Sequence, residues 1–450
     1  MAEPAILDIF KGARIVATLP QLADNGGWPH RLALQQIAAM RALGAEVFPF
    51  DVGYSATGDM SALYRQVSQL AEFKPEVVVS TPGVMQVLRC RTGNLVARDG
   101  WYVPNNLFVD NLGLPTIMMW DTMAVFFNAM RVVSLDPKES RAGMLVALRE
   151  QINHPLYYHC PVDQQHVDCL QALGVLTTAN VRARLSHAYP QYVAYGKANA
   201  PQRHDGKIVF TGNLFSPAPQ FATEKRVQAT LDRFREAVLR RFRADIGTSY
   251  WAAVESALAE LDEANAREAK LAYDESFFWT FLAADVVARV ITENRVGAFT
   301  ASRSPIDVYG LMHSPESVSM LDDYPHLTYK GVADFDTGMP PLYARSAIAL
   351  DMVAAHFPTG VTAKILGCFA AGGLCVFNRK TAFAESFGEI GEHVMFRDYD
   401  DMNAKIEWLL THEAQRRELA AALQAHTLRN HIFVKTVAEN LAWVRSGRPD

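Results

Sequence analysis

Apolar residues along this chain follow two rhythms. Some form short unbroken runs, and others recur at helical spacing through longer polar stretches. The first run is Arg14–Thr18 (RIVAT), after which come Leu19, Pro20 and a glycine-rich turn, Asp24–Arg31 (DNGGWPHR). From there to about Leu43, Ala33, Ile37 and Met40 share one face of a predicted helix, which Gly44 ends. Further strand-like runs are AEVFPFDV (45–52), EVVVS (76–80) and LPTIMMWD (114–121). Strands that alternate with helices predict a parallel sheet covered on both faces.

Near residue 200 the pattern changes. YGKANAPQRHDG (195–206) is polar and rich in turn formers, and reads as a linker. The run KIVFT (207–211) then repeats the plan of RIVAT. Residues 219–295 are rich in Ala, Arg, Glu and Leu with helical periodicity, which predicts a helical insertion whose charges form solvated faces. Alternation resumes with PIDVYGLMH (305–313), LTYKG (327–331), AIALDM (347–352), LCVFN (374–378) and HVMF (393–396). Between AIALDM and LCVFN lies TGVTAKILGCFAAGG (359–373), a short apolar helix that opens with Thr362 and Lys364 and stops at Gly372-Gly373. The tail is helical, with Met402, Ile406, Leu409 and Leu410 on one stripe.

This order predicts an α/β protein with two Rossmann-like domains facing a cleft. One domain spans 1–200. The other spans 201–430, with the helical insertion at about 219–295. A helix over 431–450 is expected to pack back on the first domain. In such sheets ligands bind beyond the carboxyl ends of the strands, which directs attention to the loops there.

Composition changes the picture little. The chain has 450 residues, 50% of them hydrophobic and 20% charged, as a soluble globular protein does. A net charge of −5 argues against bulk attraction to nucleic acid. No stretch approaches the roughly 18 uncharged apolar residues of a membrane span and no leader is evident, so only peripheral membrane association is compatible with it. Five scattered cysteines (90, 160, 169, 368 and 375) fit free thiols in a reducing cytoplasm.

The P-loop, the GxGxxG fingerprint, the GxSxG elbow and the CxxC pair do not occur in the sequence. HCPVDQQHVDC (159–169) has metal-ligand types, yet a helix from about Pro161 would align His166 with Cys169 and send His159 elsewhere. It reads better as a strand-to-helix turn, with Asp163 near the helix start and Cys169 inside. No metal or other cofactor is expected.

The remaining candidates all follow strands. Gly26, Gly27 and Trp28 edge the first loop, and His30 stands at the mouth of the next helix. Asp121 follows TIMMW, where it can serve as a general base or as a helix cap. In the second half, Thr211, Gly212 and Asn213 follow one run; Tyr309, Gly310 and His313 another; Lys330 and Gly331 a third. The helix start at Gly360, Val361, Thr362 and Lys364 combines backbone N–H groups, a hydroxyl and a cation, the chemistry of a diphosphate site.

From about Asp336 onward the chain resembles the C-terminal domain of group 1-like glycosyltransferases, the branch known from spore-maturation proteins. Tyr343, Ser346, Ile348, Leu350 and Asp351 carry the first part of that pattern. Gly360, Lys364, Ala370, Gly372 and Gly373 carry the second, and FGEIGEHVMFRDYDDMNAKIEWLLTHEAQRRELA (387–420) fits the tail. The resemblance implies a GT-B fold. A nucleotide-diphosphate sugar would be held mainly by the second domain, with Tyr343 among its contacts, and its sugar transferred to a glycan, lipid-linked or protein acceptor on the first. One position departs from the pattern. Gly367 stands where the family carries a glutamate that commonly holds the donor's ribose, and Thr359 stands eight positions earlier, where a second acid would be. Retention and inversion stay open. So do two other readings, a sugar-nucleotide epimerase on the same plan and a catalytically silent binding or scaffold protein.

Overall fold

The computed structural model describes residues 6–19, 28–51, 60–80, 95–98, 101–104, 107–120, 152–172, 176–199, 205–212, 225–265, 286–310 and 320–447. The chain divides into two compact units, Met1–Arg184 with Phe433–Asp450, and Leu185–Ile432.

In the first unit the apolar runs become β1 (Arg14–Leu19), β2 (Glu46–Asp51), β3 (Val77–Val79), β6 (Thr116–Trp120) and β7 (Tyr157–Pro161). A separate antiparallel pair is formed by β4 (Leu95–Arg98) and β5 (Trp101–Pro104). The main sheet is parallel throughout, in the order β2-β1-β3-β6-β7. Its inner strands are covered on both faces, which is why Ile15, Val16, Val78, Val79 and Ile117 form continuous runs instead of alternating with polar residues. The expected helix forms over Trp28–Ala42 and buries Ala33, Ile37 and Met40 in one core.

The last helix, Phe433–Ser446, completes that same core with Phe433, Val437, Ala438, Leu441 and Trp443. Trp443 meets Tyr158 edge-on at 5.0 Å. Arg445 grips both carboxylate oxygens of Glu76 at 3.0 and 3.1 Å, and Arg184 pairs with Glu439. After β7 the helix Gln164–Ala172 begins with Asp163 accepting the Gln165 N–H at 3.0 Å. Cys169, expected inside, is only half-buried, whereas Asp163, His166, Val167 and Leu170 are buried. His159 is buried as well. Its Nε2 donates to the Ile152 carbonyl at 2.6 Å, and loss of hydration pushes its pKa down to about 4.

The second unit contains β8 (Ile208–Thr211), β9 (Ile306–Tyr309), β10 (Leu327–Tyr329), β11 (Ile348–Asp351), β12 (Cys375–Asn378) and β13 (Met395–Phe396). They form one parallel sheet in the order β10-β9-β8-β11-β12-β13. The chain thus runs outward from β8 in one direction, returns, and runs outward from β11 in the other. The β8–β11 boundary is the topological switch point, where open α/β sheets leave a crevice. Helices Lys225–Ala244, Tyr250–Glu260 and Val287–Ala301 lie between β8 and β9, so the last of them runs on past the expected limit at 295. Their exposed faces carry ion pairs such as Arg240–Glu260 and Arg243–Glu293, both at 2.8 Å. Pairs this exposed contribute little to stability.

The boundary between the units lies at Arg184–Leu185 rather than near 200. Helix Pro190–Ala198 explains the difference, because it docks on helix Ala363–Ala370 of the second unit. An ideal Cβ on Gly196 would stand 1.9 Å from the Ala370 carbonyl oxygen, and one on Gly367 would stand 3.1 Å from Cγ of Tyr192. Two glycines therefore let the helices cross closely. The Gly/Pro/Asn-rich stretch begins inside this docked helix, at Tyr195–Ala198. Among the described residues no helix is long and apolar enough to cross a membrane.

Candidate functional site

The residues at the switch point build a polar corner from buried strands. Leu350 of β11 pairs in register with Phe210 of β8, so Asp351 and Thr211 end neighbouring strands. Beyond Asp351 the chain crosses to helix Ala363–Ala370. That crossing is pinned by two bonds: Asn378 Oδ1 accepts the Val353 N–H at 2.7 Å, and the Thr359 carbonyl accepts the Ala382 N–H at 2.9 Å. Lys364, in the first turn of the helix, reaches back over the corner. Its ammonium donates to the Thr211 carbonyl at 2.7 Å and to Asp351 Oδ1 at 2.9 Å. The Asp351 side chain is 3% exposed and that of Lys364 24%. The lysine therefore has two duties. It neutralises a buried carboxylate, and it keeps a solvent-facing side at the strand edge.

Thr362 holds the N-cap position with extended backbone, yet its hydroxyl makes no capping bond. That oxygen is shielded from solvent and has no hydrogen-bond partner among the described residues. The first N–H groups of a helix lack intrahelical acceptors, and their dipoles favour an anion. A hydroxyl, helix N–H groups and a cation thus converge at one strand edge. Gly360 and Val361 lead into this turn, and the Val361 side chain is wholly buried, leaving its backbone for any ligand contact.

The other half of the edge is built from backbone. The Gly212 N–H donates to the Tyr309 carbonyl at 2.8 Å, and the Gly310 N–H donates to the Gly331 carbonyl at 3.0 Å. The Tyr329 hydroxyl donates to the Gly310 carbonyl at 2.9 Å. An ideal Cβ on Gly310 would lie 2.0 Å from the Gly212 carbonyl oxygen, so no larger residue fits there. These contacts hold the loops after β8, β9 and β10 low and close together. Lys330 stands 3.6 Å from Asp307, which ties its charge to the sheet.

Two expectations change. Tyr343, expected among the donor contacts, is 2% exposed, and its hydroxyl shares a 2.5 Å hydrogen bond with Thr211 Oγ1. It supports the end of β8 from inside. Gly367, where the resemblance leads one to expect a carboxylate, faces the ring of Tyr192, itself fully buried and stacked on Tyr343 at 6.1 Å. A glutamate there would displace the docked helix. The absent acid is a packing requirement of this chain.

In the first unit, His30 lies half-buried in the first turn of helix Trp28–Ala42, at the carboxyl edge of β1. Trp28 begins that helix. Gly26, Gly27, Asp121, Asn213 and His313 lie outside the described residues.

Three residues of the corner are not among the expected site residues. Asp351 ends an apolar run, which is itself a signal for an acid at a strand's carboxyl end. Phe210 is wholly buried beneath the corner, with the Lys364 ammonium 5.5 Å from its ring centroid. Arg295 sits in the stretch read as a solvated insertion, yet its guanidinium lies 5.8 Å from the same ring. It is four positions after Ile291 and four before Phe299, both buried, so it shares their face.

Residues 300–442 match the family model described as glycosyl transferase-like. That segment contains β9 to β13, Asp351, Lys364, Gly310 and Gly331, while Thr211 and Gly212 precede it. Among solved structures, the chain is similar to a glycosyltransferase from Rickettsia africae ESF-5 at 10% identity, with a TM-score of 0.47 over 97% of this chain and 98% of that one. The sucrose-phosphate synthase of Thermosynechococcus elongatus is also 10% identical, with a TM-score of 0.48 over 96% and 98%. The Anabaena protein HepE in complex with UDP gives 10% identity and a TM-score of 0.43 over 97% and 100%. No curated protein matches the chain.

Proposed function

We propose that this protein is a glycosyltransferase, moving a sugar from a nucleotide-diphosphate donor to a hydroxyl of a glycan, lipid-linked or protein acceptor. The observation that carries this reading is the Lys364 ammonium held between the Thr211 carbonyl and Asp351 at the switch point of the second sheet, with Lys364 and Asp351 both inside the segment that matches a glycosyl transferase-like family. A diphosphate there would meet the backbone N–H groups around Gly360–Thr362, the Thr362 hydroxyl and Lys364. The nucleoside and sugar would lie along the rim of Thr211, Gly212, Tyr309, Gly310, Lys330 and Gly331.

In the transfer step the acceptor oxygen bonds to the anomeric carbon as the bond from that carbon to the diphosphate oxygen breaks. The electron pair leaves on the diphosphate, and the acceptor proton passes to a base. Preorganised dipoles and one cation stabilise the charge that develops on the leaving group, and such stabilisation commonly supplies the largest share of a rate enhancement. On this reading no metal is required. His30 and Asp121, both after strands of the first sheet, are the proposed groups on the acceptor side.

The test is turnover across a panel of nucleotide sugars, with release of nucleoside diphosphate as the readout. Release that needs an acceptor supports transfer. A changed sugar configuration without transfer would point to an epimerase instead, and silence across the panel to a binding protein.

A further inference from the structure

Asn378, the last residue of β12, is 1% exposed and uses both ends of its side chain. Its Oδ1 accepts the Val353 N–H at 2.7 Å, and its Nδ2 donates to the Ile246 carbonyl at 3.2 Å. Val353 opens the crossing from β11 to helix Ala363–Ala370, two residues after Asp351. Ile246 belongs to turn 245–249, between the first two helices of the insertion. That turn is closed by the Thr248 N–H on the Asp245 carbonyl at 3.1 Å and the Gly247 N–H on Asp245 Oδ1 at 2.8 Å.

The match is specific in its chemistry. Val353 presents a donor and Ile246 an acceptor, so turning the amide over would set donor against donor and acceptor against acceptor. A carboxylate lacks the donor, and a hydrocarbon lacks both groups. Val353 and Ile246 are themselves buried, so water is a poor substitute for either bond. The far end of the same crossing is held from the same strand exit, where the Ala382 N–H, four positions after Asn378, donates to the Thr359 carbonyl at 2.9 Å. Loop 352–362 therefore hangs from segment 378–382, and it leads directly to the N–H groups around Gly360–Thr362. The insertion precedes β9 and has no sequence link to this loop. Asn378 supplies a link through space.

We propose that Asn378 is a positioning residue that couples turn 245–249 of the insertion to the phosphate loop, so that affinity for a nucleoside diphosphate depends on the order of that turn. The proposal rests on the nucleotide-sugar reading given above and adds to it a residue that acts through the loop.

The test combines calorimetric titration of the full chain with UDP, GDP, dTDP and ADP and amide hydrogen exchange over segments 244–250 and 352–362, which reads local order. Asn378→Leu removes both bonds in a side chain of similar size. It should weaken the nucleoside diphosphate that binds wild type at least tenfold and speed exchange at least tenfold in both segments. Exchange in β10, at the other edge of the sheet, should stay as in wild type. Asn378→Asp keeps an acceptor for Val353, and its affinity should follow the turn. A loosened turn should come with at least fivefold weaker binding, and a protected turn with binding within threefold of wild type. A merely structural amide would lower the unfolding temperature and leave the affinity of the folded variants alone. Unchanged affinity in Asn378→Leu would overturn the proposal, as would unchanged affinity in Asn378→Asp with a loosened turn, or weakened affinity there with both segments protected; in each case the donor reading stands. If wild-type protein binds no nucleoside diphosphate, that reading fails and the proposal fails with it. Should Asn378→Leu not fold, Asn378→Ser, one atom shorter than asparagine, takes its place under the same criteria.

Discussion

The Lys364 ammonium stands 2.9 Å from Asp351 Oδ1, a carboxylate side chain only 3% exposed. This pair joins the end of β11 to the first turn of the helix that follows it, and it gives one residue both a structural and a binding role. Removing one partner of a buried pair leaves an uncompensated charge, at a cost of about 3–5 kcal/mol. Lys364→Met should therefore lower stability by roughly that amount in urea unfolding. Adding Asp351→Asn should recover most of the loss, because the orphaned charge is gone. No recovery in the double variant would show that the lysine acts through something other than this pair.

The crossing of helices Pro190–Ala198 and Ala363–Ala370 depends on Gly196 and Gly367. Gly196→Ala would drive a methyl group into the Ala370 carbonyl and should cost about 3 kcal/mol, in the range of overpacked cores. Gly367→Ala meets only the Tyr192 ring at 3.1 Å and should cost about 1 kcal/mol. Gly367→Glu, which places there the acid that the resemblance leads one to expect, should destabilise more than Gly367→Ala and leave donor affinity no better. Improved affinity with undiminished stability would refute the packing explanation.

The buried imidazoles set an acid limit. His159 in the first unit and His187 in the second each have a pKa pushed down to about 4 by burial, against 6.5 when exposed. Between those values the unfolded chain binds more protons than the folded one. Stability is then full above about pH 6.5 and is lost as pH falls toward 4, by about 3 kcal/mol for each histidine. Urea unfolding from pH 7.5 to 4.5 should show this fall. His159→Gln should flatten it for the first unit, and an unchanged slope would contradict the assignment.

Trp443 tests whether the last helix belongs to the first unit's core. Trp443→Ala removes a 3%-exposed indole packed on Tyr158 and should cost about 3–5 kcal/mol. Limited proteolysis should then cut first within 1–184. Preferential cutting within 185–432 would contradict that placement.

Much of the fold is legible along the chain because strands buried on both faces appear as unbroken apolar runs: RIVAT, EVVVS, TIMMW, KIVFT, AIALD and CVFN all become strands. The helix that opens at Thr362 is legible too, since Gly372, with φ +91°, supplies the left-handed stop. Composition could not show which unit a helix joins. Gly196 looks like part of a linker until the carbonyl of Ala370 is found against it. Arg295 was obscured by its neighbours, because in a charge-rich helix a half-buried arginine has the same letter as a solvated one, and only the face it shares with Ile291 and Phe299 separates them. Asp351 was visible as the last residue of a run, but its partner thirteen positions later required the sheet order.

The most direct measurement is calorimetric titration of nucleoside diphosphates into wild-type protein and the Lys364→Met/Asp351→Asn double variant, with both proteins shown folded by circular dichroism. The prediction is saturable binding of at least one nucleoside diphosphate to the wild type, weakened at least tenfold in the folded double variant. Binding that is unchanged in the double variant, or absent from the wild type for every nucleotide, would contradict a diphosphate site at Lys364.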